Sequence, residues 1–269
     1  MPEGDTVHLL AARLRPRLVG ATVVDGELRS GGRAGESLAG LRVDEVDTHG
    51  KHLLMRFDDA TTLHTHLRMQ GSWTITGPGR SVPARVQRQV RVRARLADGH
   101  TLWGVDLPVV DLVATRDESS LIGHLGPDPL RADWDPEEAR RRLAARSDLM
   151  VRAALLDQRL MSGLGNLWVN EVGFLRGAHP AVRIGDLDVA KLVDVAARAL
   201  RFSVSVPGAY QVTTGRTRRG ETHWVTGRAG RPCLRCGTRV EALDDPPTPD
   251  GRARRAWWCP RCQPAPAGP

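Results

Sequence analysis

The sequence has no apolar run approaching the ~20 residues that a membrane-spanning helix needs, which excludes a helical membrane anchor. No secretory signal is expected either, because the first twenty residues carry Glu3, Asp5 and several arginines. The expected compartment is therefore the cytoplasm, including the nucleoid if DNA is the partner. Lysine is almost missing: of 39 basic residues only Lys51 and Lys191 are lysines. Such skew reflects a GC-rich coding sequence more than function, yet it singles out those two positions. Cysteine is restricted to four residues in two pairs, with no odd thiol left over. No internal repeat is evident.

What is present is charge and enough apolar mass for real cores. The net charge is +8, the pI is about 10.4, and 41% of the 269 residues are hydrophobic. This length holds one large domain, or two modest ones plus a small module. The basic balance fits either a polyanion partner, nucleic acid first, or a solvated basic surface.

Val7, Leu10, Leu14 and Leu18 recur at helical spacing, with Pro16 expected to kink or end that helix early. From about Ala21 to Leu112 the pattern is of short strands. Val90, Val92, Ala94 and Leu96 face one way and arginines the other, and Asp98-Gly99 turns the chain into Thr101-Leu102-Trp103. Val43–Val46, Leu53–Phe57, Thr61–His66 and Ser72–Thr76 read as further strands, and together these suggest a β-sandwich. The boundary between this strand-rich half and the second half is expected near Arg116–Asp128. The second half reads as helical. Asp135-Pro136-Glu137-Glu138 supplies an N-cap, a first-position proline and first-turn acids. A helix is expected over Asp148–Met161, with Leu149, Ala153, Leu156 and Leu160 as its stripe and Gly163 as its end. Asn166–Gly173 reads as a short helix, and Asp186 or Asp188 as the cap of another running to about Phe202. Ser203–Gly230 reads as loop with one strand at most, and the Pro/Ala-rich end from Gln263 as disordered.

Cys233-Leu234-Arg235-Cys236 and Cys259-Pro260-Arg261-Cys262 are two Cys-x-x-Cys pairs separated by 22 residues, slightly beyond the usual zinc-ribbon range. Two-residue spacers let both thiolates of a pair meet one ion, and two pairs complete a tetrahedral, closed zinc site. The other readings are two disulfides or a redox motif, and a cytosolic setting argues against disulfides. Between the pairs, Arg252, Arg254 and Arg255 precede Trp257-Trp258. They read equally as a phosphate-touching finger tip or as a solvated basic loop above a small Trp core.

Met1-Pro2-Glu3 carries a possible chemistry. Removal of Met1 would leave Pro2 as a secondary amine titrating near pH ~8, nucleophilic at physiological pH. Such an amine can form an iminium with an electrophilic carbon, with Glu3 beside it to move protons. In Gly163-Leu164-Gly165-Asn166, the glycines permit a tight turn into a helix whose N-terminus suits a phosphate. An ordinary helix corner is the plainer reading.

Taken in order, Pro2-Glu3-Gly4, His49-Gly50-Lys51-His52-Leu53-Leu54, His66-Leu67-Arg68-Met69-Gln70-Gly71-Ser72, Gly163-Leu164-Gly165-Asn166 with Glu171, and the four-cysteine finger resemble the formamidopyrimidine-DNA glycosylase / endonuclease VIII family over about residues 2–262. With Trp258-Cys259-Pro260 in the finger, the chain is most similar to actinobacterial endonuclease VIII-like members. The resemblance implies an α+β multidomain fold. Residues 1–118 would be a catalytic N-terminal β-sandwich with flanking helices, and 128–222 a DNA-binding helix–two-turn–helix domain. Residues 223–263 would be a zinc finger holding one structural Zn2+ through Cys233, Cys236, Cys259 and Cys262, and 264–269 a disordered tail. It implies a monomer acting on damaged double-stranded DNA held in the cleft between the domains.

In the family's chemistry, Pro2 corresponds to the nucleophile on C1′ and Glu3 to the proton-shuttling carboxylate. Lys51 corresponds to the lysine that supports catalysis and holds a phosphate. Asn166 and Arg254 correspond to phosphate ligands, and Met69 to a side chain that wedges into the gap left by a flipped base. The implied activity is base excision with β,δ-elimination. Three departures stand out. Thr6 replaces a common second acid, no void-filling residues match near Asp106–Val110, and Thr214–Gly220 does not resemble the lesion-capping loop of the oxidised-purine enzymes. The last points to oxidised pyrimidines. The alternatives are an enzyme of the same fold preferring oxidised purines, and a non-catalytic zinc protein that binds damaged DNA.

Overall fold

The computed structural model describes residues 2–244 and 254–266, and the chain divides into two units, Met1–His124 and Leu125–Pro269. Met1, Arg252 and tail residues 267–269 lie outside the described residues.

In the first unit, α1 (Gly4–Leu18) runs through Pro16 to its last turn, so the expected early break does not occur. A proline there forfeits one backbone donor, while Val7, Ala11, Leu14 and Leu18 remain buried along one stripe and hold the helix to the core. Eight strands follow: β1 (Val23–Leu28), β2 (Val43–His49), β3 (His52–Phe57), β4 (Thr61–His66), β5 (Ser72–Thr76), then a short α2 (Ala84–Gln87), β6 (Val90–Leu96), β7 (Thr101–Val105) and β8 (Val109–Ala114). They form two antiparallel four-stranded sheets, ordered β1-β6-β7-β5 and β2-β3-β4-β8. The alternation read from β6 is real: Val90, Val92, Ala94 and Leu96 are buried, while Arg93 turns outward onto Asp25 at 2.8 and 3.1 Å. One apolar core joins α1 to residues of both sheets, including Leu28, Leu53, Phe57, Leu63, Trp73, Leu102 and Leu112. The short α3 (Ser119–Ile122) closes the unit.

The second unit begins with α4 (Pro136–Ala144), capped as expected by Asp135, whose carboxylate accepts from the Glu138 N–H at 3.0 Å. Helix α5 spans only Val151–Leu156, so the expected long helix to Met161 and its stripe are corrected. Val151, Arg152, Ala154 and Leu155 are buried, and Ala153 is exposed. The cause is side-chain competition for backbone groups. Asp157 Oδ1 accepts from the Arg159 N–H at 3.0 Å. Gln158 Nε2 donates to the carbonyls of Leu156 and Leu164, at 2.9 and 2.8 Å, and its Oε1 accepts from the Gly163 N–H at 3.1 Å. One glutamine thus staples two successive turns, the second using Gly163 at φ 93°. Gly126 lies against those turns so closely that a Cβ would sit 2.7 Å from the Arg159 carbonyl oxygen.

Helices α6 (Asn166–Arg176) and α7 (Val189–Ser205) follow. Gly177 ends the first in the left-handed conformation, and Asp188 rather than Asp186 caps the second. Lys191 belongs to that cap, pairing with Asp188 at 3.0 Å. The strand allowed for between Ser203 and Gly230 is not found; α7 extends to Ser205 and turns follow. A hairpin of β9 (Glu241–Asp244) and β10 (Arg255–Trp258) leads to the last cysteine pair. Gln263 does not begin a disordered tail. It is buried, accepts from the Cys259 N–H at 3.0 Å and donates to the Ala178 carbonyl at 2.8 Å.

Candidate active site and metal centre

Glu3 is the N-cap of α1 and is wholly buried, and Pro2 beside it is half-buried. The Glu3 N–H donates to Thr6 Oγ1 at 3.1 Å, half of a capping box. The hydroxyl at position 6 therefore closes the helix start. Asp5, also buried, accepts from the Thr6 N–H at 2.8 Å. Helix α1 packs on β2 and β3 and is tied to β2 by Arg15 Nε donating to the Val46 carbonyl at 2.7 Å.

Lys51 occupies the two-residue turn joining those same strands, where His49 pairs with His52 and Gly50 adopts φ 56°. It is half-buried beside a cluster of imidazoles. Burial, then His66 and the other neighbouring rings, lower His52 to a pKa of about 2. Burial, then Lys51 and Arg68, lower His66 to about 4. The Lys51 turn therefore sits beside two neutral rings, His52 and His66. Met69 lies on the turn after β4, 50% exposed, so it does not pack in the core. It follows Arg68, which is held at φ 47°. Near the unmatched void-filling segment, Leu107 is buried and Asp106 takes φ 49°.

In the second unit, Asn166 is the first residue of α6 and its amide is engaged on both sides. Oδ1 accepts from Arg152 Nη2 at 2.7 Å, and Nδ2 donates to the Arg255 carbonyl at 3.1 Å. Asn170 adds a third and fourth tie, its Oδ1 accepting from Arg152 Nη1 at 3.0 Å and from the Trp257 N–H at 3.1 Å. This network brings Asn166 to the strand that begins beside Arg254. Arg254 itself is half-buried and lines a cavity of about 520 Å3 with Met150, Leu156, His179 and Trp258. The sequence pattern does not single out Arg152, Asn170 or Gln158 as site-building residues. The available signal was Arg152, a lone cation in the apolar run Val151–Leu156.

Glu171, which the sequence motif includes without indicating a role, is a structural anchor. Wholly buried, it accepts from the backbone N–H groups of Trp224 (2.8 Å), Val225 (3.1 Å) and Thr226 (2.8 Å), from the Thr226 hydroxyl, and from the Thr213 hydroxyl. It pins the loop after α7 to α6. Glu171→Ala would orphan several buried donors and should cost about 3 kcal/mol or more in urea unfolding of the whole chain; a loss under about 1 kcal/mol would contradict this.

The four cysteine sulfurs converge within 4.8 Å of one another. For Zn–S bonds of ~2.3 Å a tetrahedral site places sulfurs about 3.8 Å apart, so the set fits one ion. Thr238, which hydrogen-bonds its sulfur, lowers Cys236 to about 6, while burial raises Cys262 to about 12. Four such thiols in contact call for a cation to hold them as thiolates. Phe174, Trp224, Val225 and Val240 pack around them, with Arg235 4.3 Å over the Phe174 ring.

The sequence model of the formamidopyrimidine-DNA glycosylase N-terminal domain matches residues 1–108. That of the same enzymes' H2TH domain, the helix–two-turn–helix, matches 125–213. Together with the sandwich, the two-turn corner and the cysteine cluster, these matches place the chain in the formamidopyrimidine-DNA glycosylase family. It is 42% identical to a probable endonuclease 8 2 of Streptomyces coelicolor, over 99% of this chain and 95% of that protein. To the DNA-(apurinic or apyrimidinic site) lyase Nei2 of Mycolicibacterium smegmatis it is 40% identical, over 98% of this chain and 100% of that protein. The fold is also that of Lactococcus lactis Fpg, solved in complex with a DNA containing N7-benzyl-Fapy-dG, at a TM-score of 0.76 and 24% identity over 98% of this chain and 100% of that one.

Proposed function

We propose that this chain is a bifunctional DNA glycosylase and AP lyase of base excision repair. It removes oxidised bases, pyrimidines favoured, from double-stranded DNA, and acts as a monomer in the bacterial cytoplasm at the nucleoid. No helix among the described residues is long and apolar enough to cross a membrane. The observation that carries the reading is the placement of Pro2 and Glu3 at the head of a helix packed on the very hairpin whose turn holds Lys51.

With Met1 removed, the Pro2 nitrogen attacks C1′ of the flipped nucleoside as the C1′–base bond breaks, and the base leaves with a proton. Glu3 is the carboxylate placed to move protons during base release and sugar-ring opening. The iminium acidifies the C2′ proton. Its removal expels the 3′ phosphate (β-elimination), and a second elimination expels the 5′ phosphate. Lys51 holds a phosphate beside the lesion, Asn166 and Arg254 take further phosphates, and half-exposed Met69 fills the space vacated by the base. For Asn166 to take a phosphate through its side chain, it must exchange its bond to the Arg255 carbonyl. Cys233, Cys236, Cys259 and Cys262 hold one Zn2+. With four protein ligands that ion leaves no open position and serves structure alone.

Pyrimidine preference is supported by the absence of a recognisable lesion-capping loop at Thr214–Gly220. The relatives at 39–42% identity are named endonuclease 8 or Nei2, whereas those named formamidopyrimidine-DNA glycosylase stand at 30–32%. A base-release panel tests this. Thymine glycol and dihydrouracil should be excised faster than 8-oxoguanine from matched duplexes, and the reverse order would assign the chain to oxidised purines.

A further inference from the structure

The face of β3, β4 and β8 turned away from the core carries polar side chains that the excision chemistry does not use. Across it, Asp111 Oδ2 lies 3.0 Å from His64 Nδ1, and His64 Nε2 lies 2.7 Å from His52 Nδ1. The register explains the row: Asp111 is directly opposite His64, and His52 is the diagonal neighbour on the next strand. Asp111 is 38% exposed and His64 only 4% by side chain, so the row runs from the surface into the protein. The His52 and His64 rings lie nearly parallel and edge to edge, their centroids 5.0 Å apart, and His66 meets His52 edge-on at 4.9 Å. The residue before His52 is Lys51.

We propose that Asp111, His64 and His52 form a hydrogen-bonded relay that fixes His52 as its Nδ1–H tautomer and so positions the Lys51 turn for reaction, with Asp111 and His64 as positioning residues. The inference rests on the assignment of Lys51 to the reacting region.

The direction of each bond follows from what each atom can do. A carboxylate only accepts, so His64 Nδ1 carries the proton it donates to Asp111. Neutral His64 then has its lone pair at Nε2, which can only accept, so His52 Nδ1–H donates. One exposed carboxylate thereby sets the tautomer of two rings in sequence. His52 and His66 have reason to stay neutral. His52 is faced by His49 from β2, by His64 and His66 from β4 and by His124 after α3, with Lys51 and Arg68 close to His66. Burial disfavours a proton on His52, and burial with the like charge of Lys51 and Arg68 disfavours one on His66. Cross-linking three strands immediately beside a two-residue turn restrains that turn where a lysine must be held to sub-ångström tolerance.

Long-range 1H–15N spectra of the full-length protein, assigned by single histidine replacements, read the tautomers directly. His52 and His64 should both show neutral Nδ1–H signals at pH 7, and Asp111→Asn should lose this pattern. In single-turnover cleavage of a duplex with one abasic site, Asp111→Asn should be slower by about tenfold or more. Affinity for a duplex carrying an uncleavable tetrahydrofuran site should change less than about twofold, and Asp111→Glu should recover most of the rate. A His52 Nε2–H tautomer would overturn the relay, as it would mean an imidazolium at His64. So would an unchanged rate in Asp111→Asn where Lys51→Ala is slow. If Lys51→Ala itself cleaves at the normal rate, the Lys51 assignment fails instead, and the spectra still decide the relay.

Discussion

Pro2→Gly, with Met1 fully removed, is expected to lose base excision by at least about 10³-fold while keeping part of the activity on preformed abasic sites. The asymmetry follows from the chemistry. Glycine leaves a primary α-amine that titrates in the same range as that of proline, and an open-chain abasic aldehyde reacts with any such amine. Displacing an intact base is harder. It needs the nitrogen held in line with C1′, and proline fixes that nitrogen in a ring just ahead of a helix start closed by Glu3 and Thr6. A secondary amine also gives an iminium with no N–H to lose, so the electron-withdrawing charge persists until elimination. Excision and abasic-site cleavage by Pro2→Gly should be timed separately under single turnover. Unchanged excision would remove Pro2 from the mechanism.

Stripping the metal should have the second largest effect. The β9–β10 hairpin has four residues per strand, too few to stand alone, and its core is built from the cysteines with Phe174, Val225 and Val240. Structural zinc contributes an apparent ~10–16 kcal/mol in small modules, so metal removal should unfold the hairpin. The consequence reaches further, because β10 supplies the Arg255 carbonyl and Trp257 N–H that orient Asn166 and Asn170. Chelation, or Cys259→Ser, should therefore weaken binding to duplex DNA by about 100-fold or more and expose the amides of residues 255–263 to hydrogen exchange. The native protein should hold one zinc per chain by elemental analysis. Full DNA affinity in metal-free protein would contradict the scheme.

Elements governed by local chemistry are legible in the sequence. The alternation of β6, the Asp98-Gly99 turn, the Asp135-Pro136 helix start and the paired cysteines each depend on neighbours within a few residues, and each forms as read. Local reading fails where distant contacts override local preference. Pro16 is tolerated because Leu14 and Leu18 are buried around it. The stripe expected over Asp148–Met161 is broken by Asp157 and Gln158, whose side chains take the backbone groups a longer helix would use. Gln263 reads as the start of a tail, yet it plugs between Cys259 and Ala178. The candidate site divides the same way. The cysteines are legible by residue type and spacing, and Pro2 and Lys51 are singled out by position and scarcity and take their roles from the family resemblance, whereas the clamp on Asn166 joins residues far apart in sequence, as does the pairing of Asp111 with His64.

The central claim is that Pro2 forms a covalent iminium with DNA. The most direct measurement is borohydride reduction of the full-length protein mixed with a duplex bearing one abasic site, followed by mass spectrometry of the crosslinked peptide. The account predicts a stable adduct attached through the Pro2 nitrogen. Absence of an adduct from protein that has lost Met1 and holds its metal, or attachment through Lys51 instead, would contradict it.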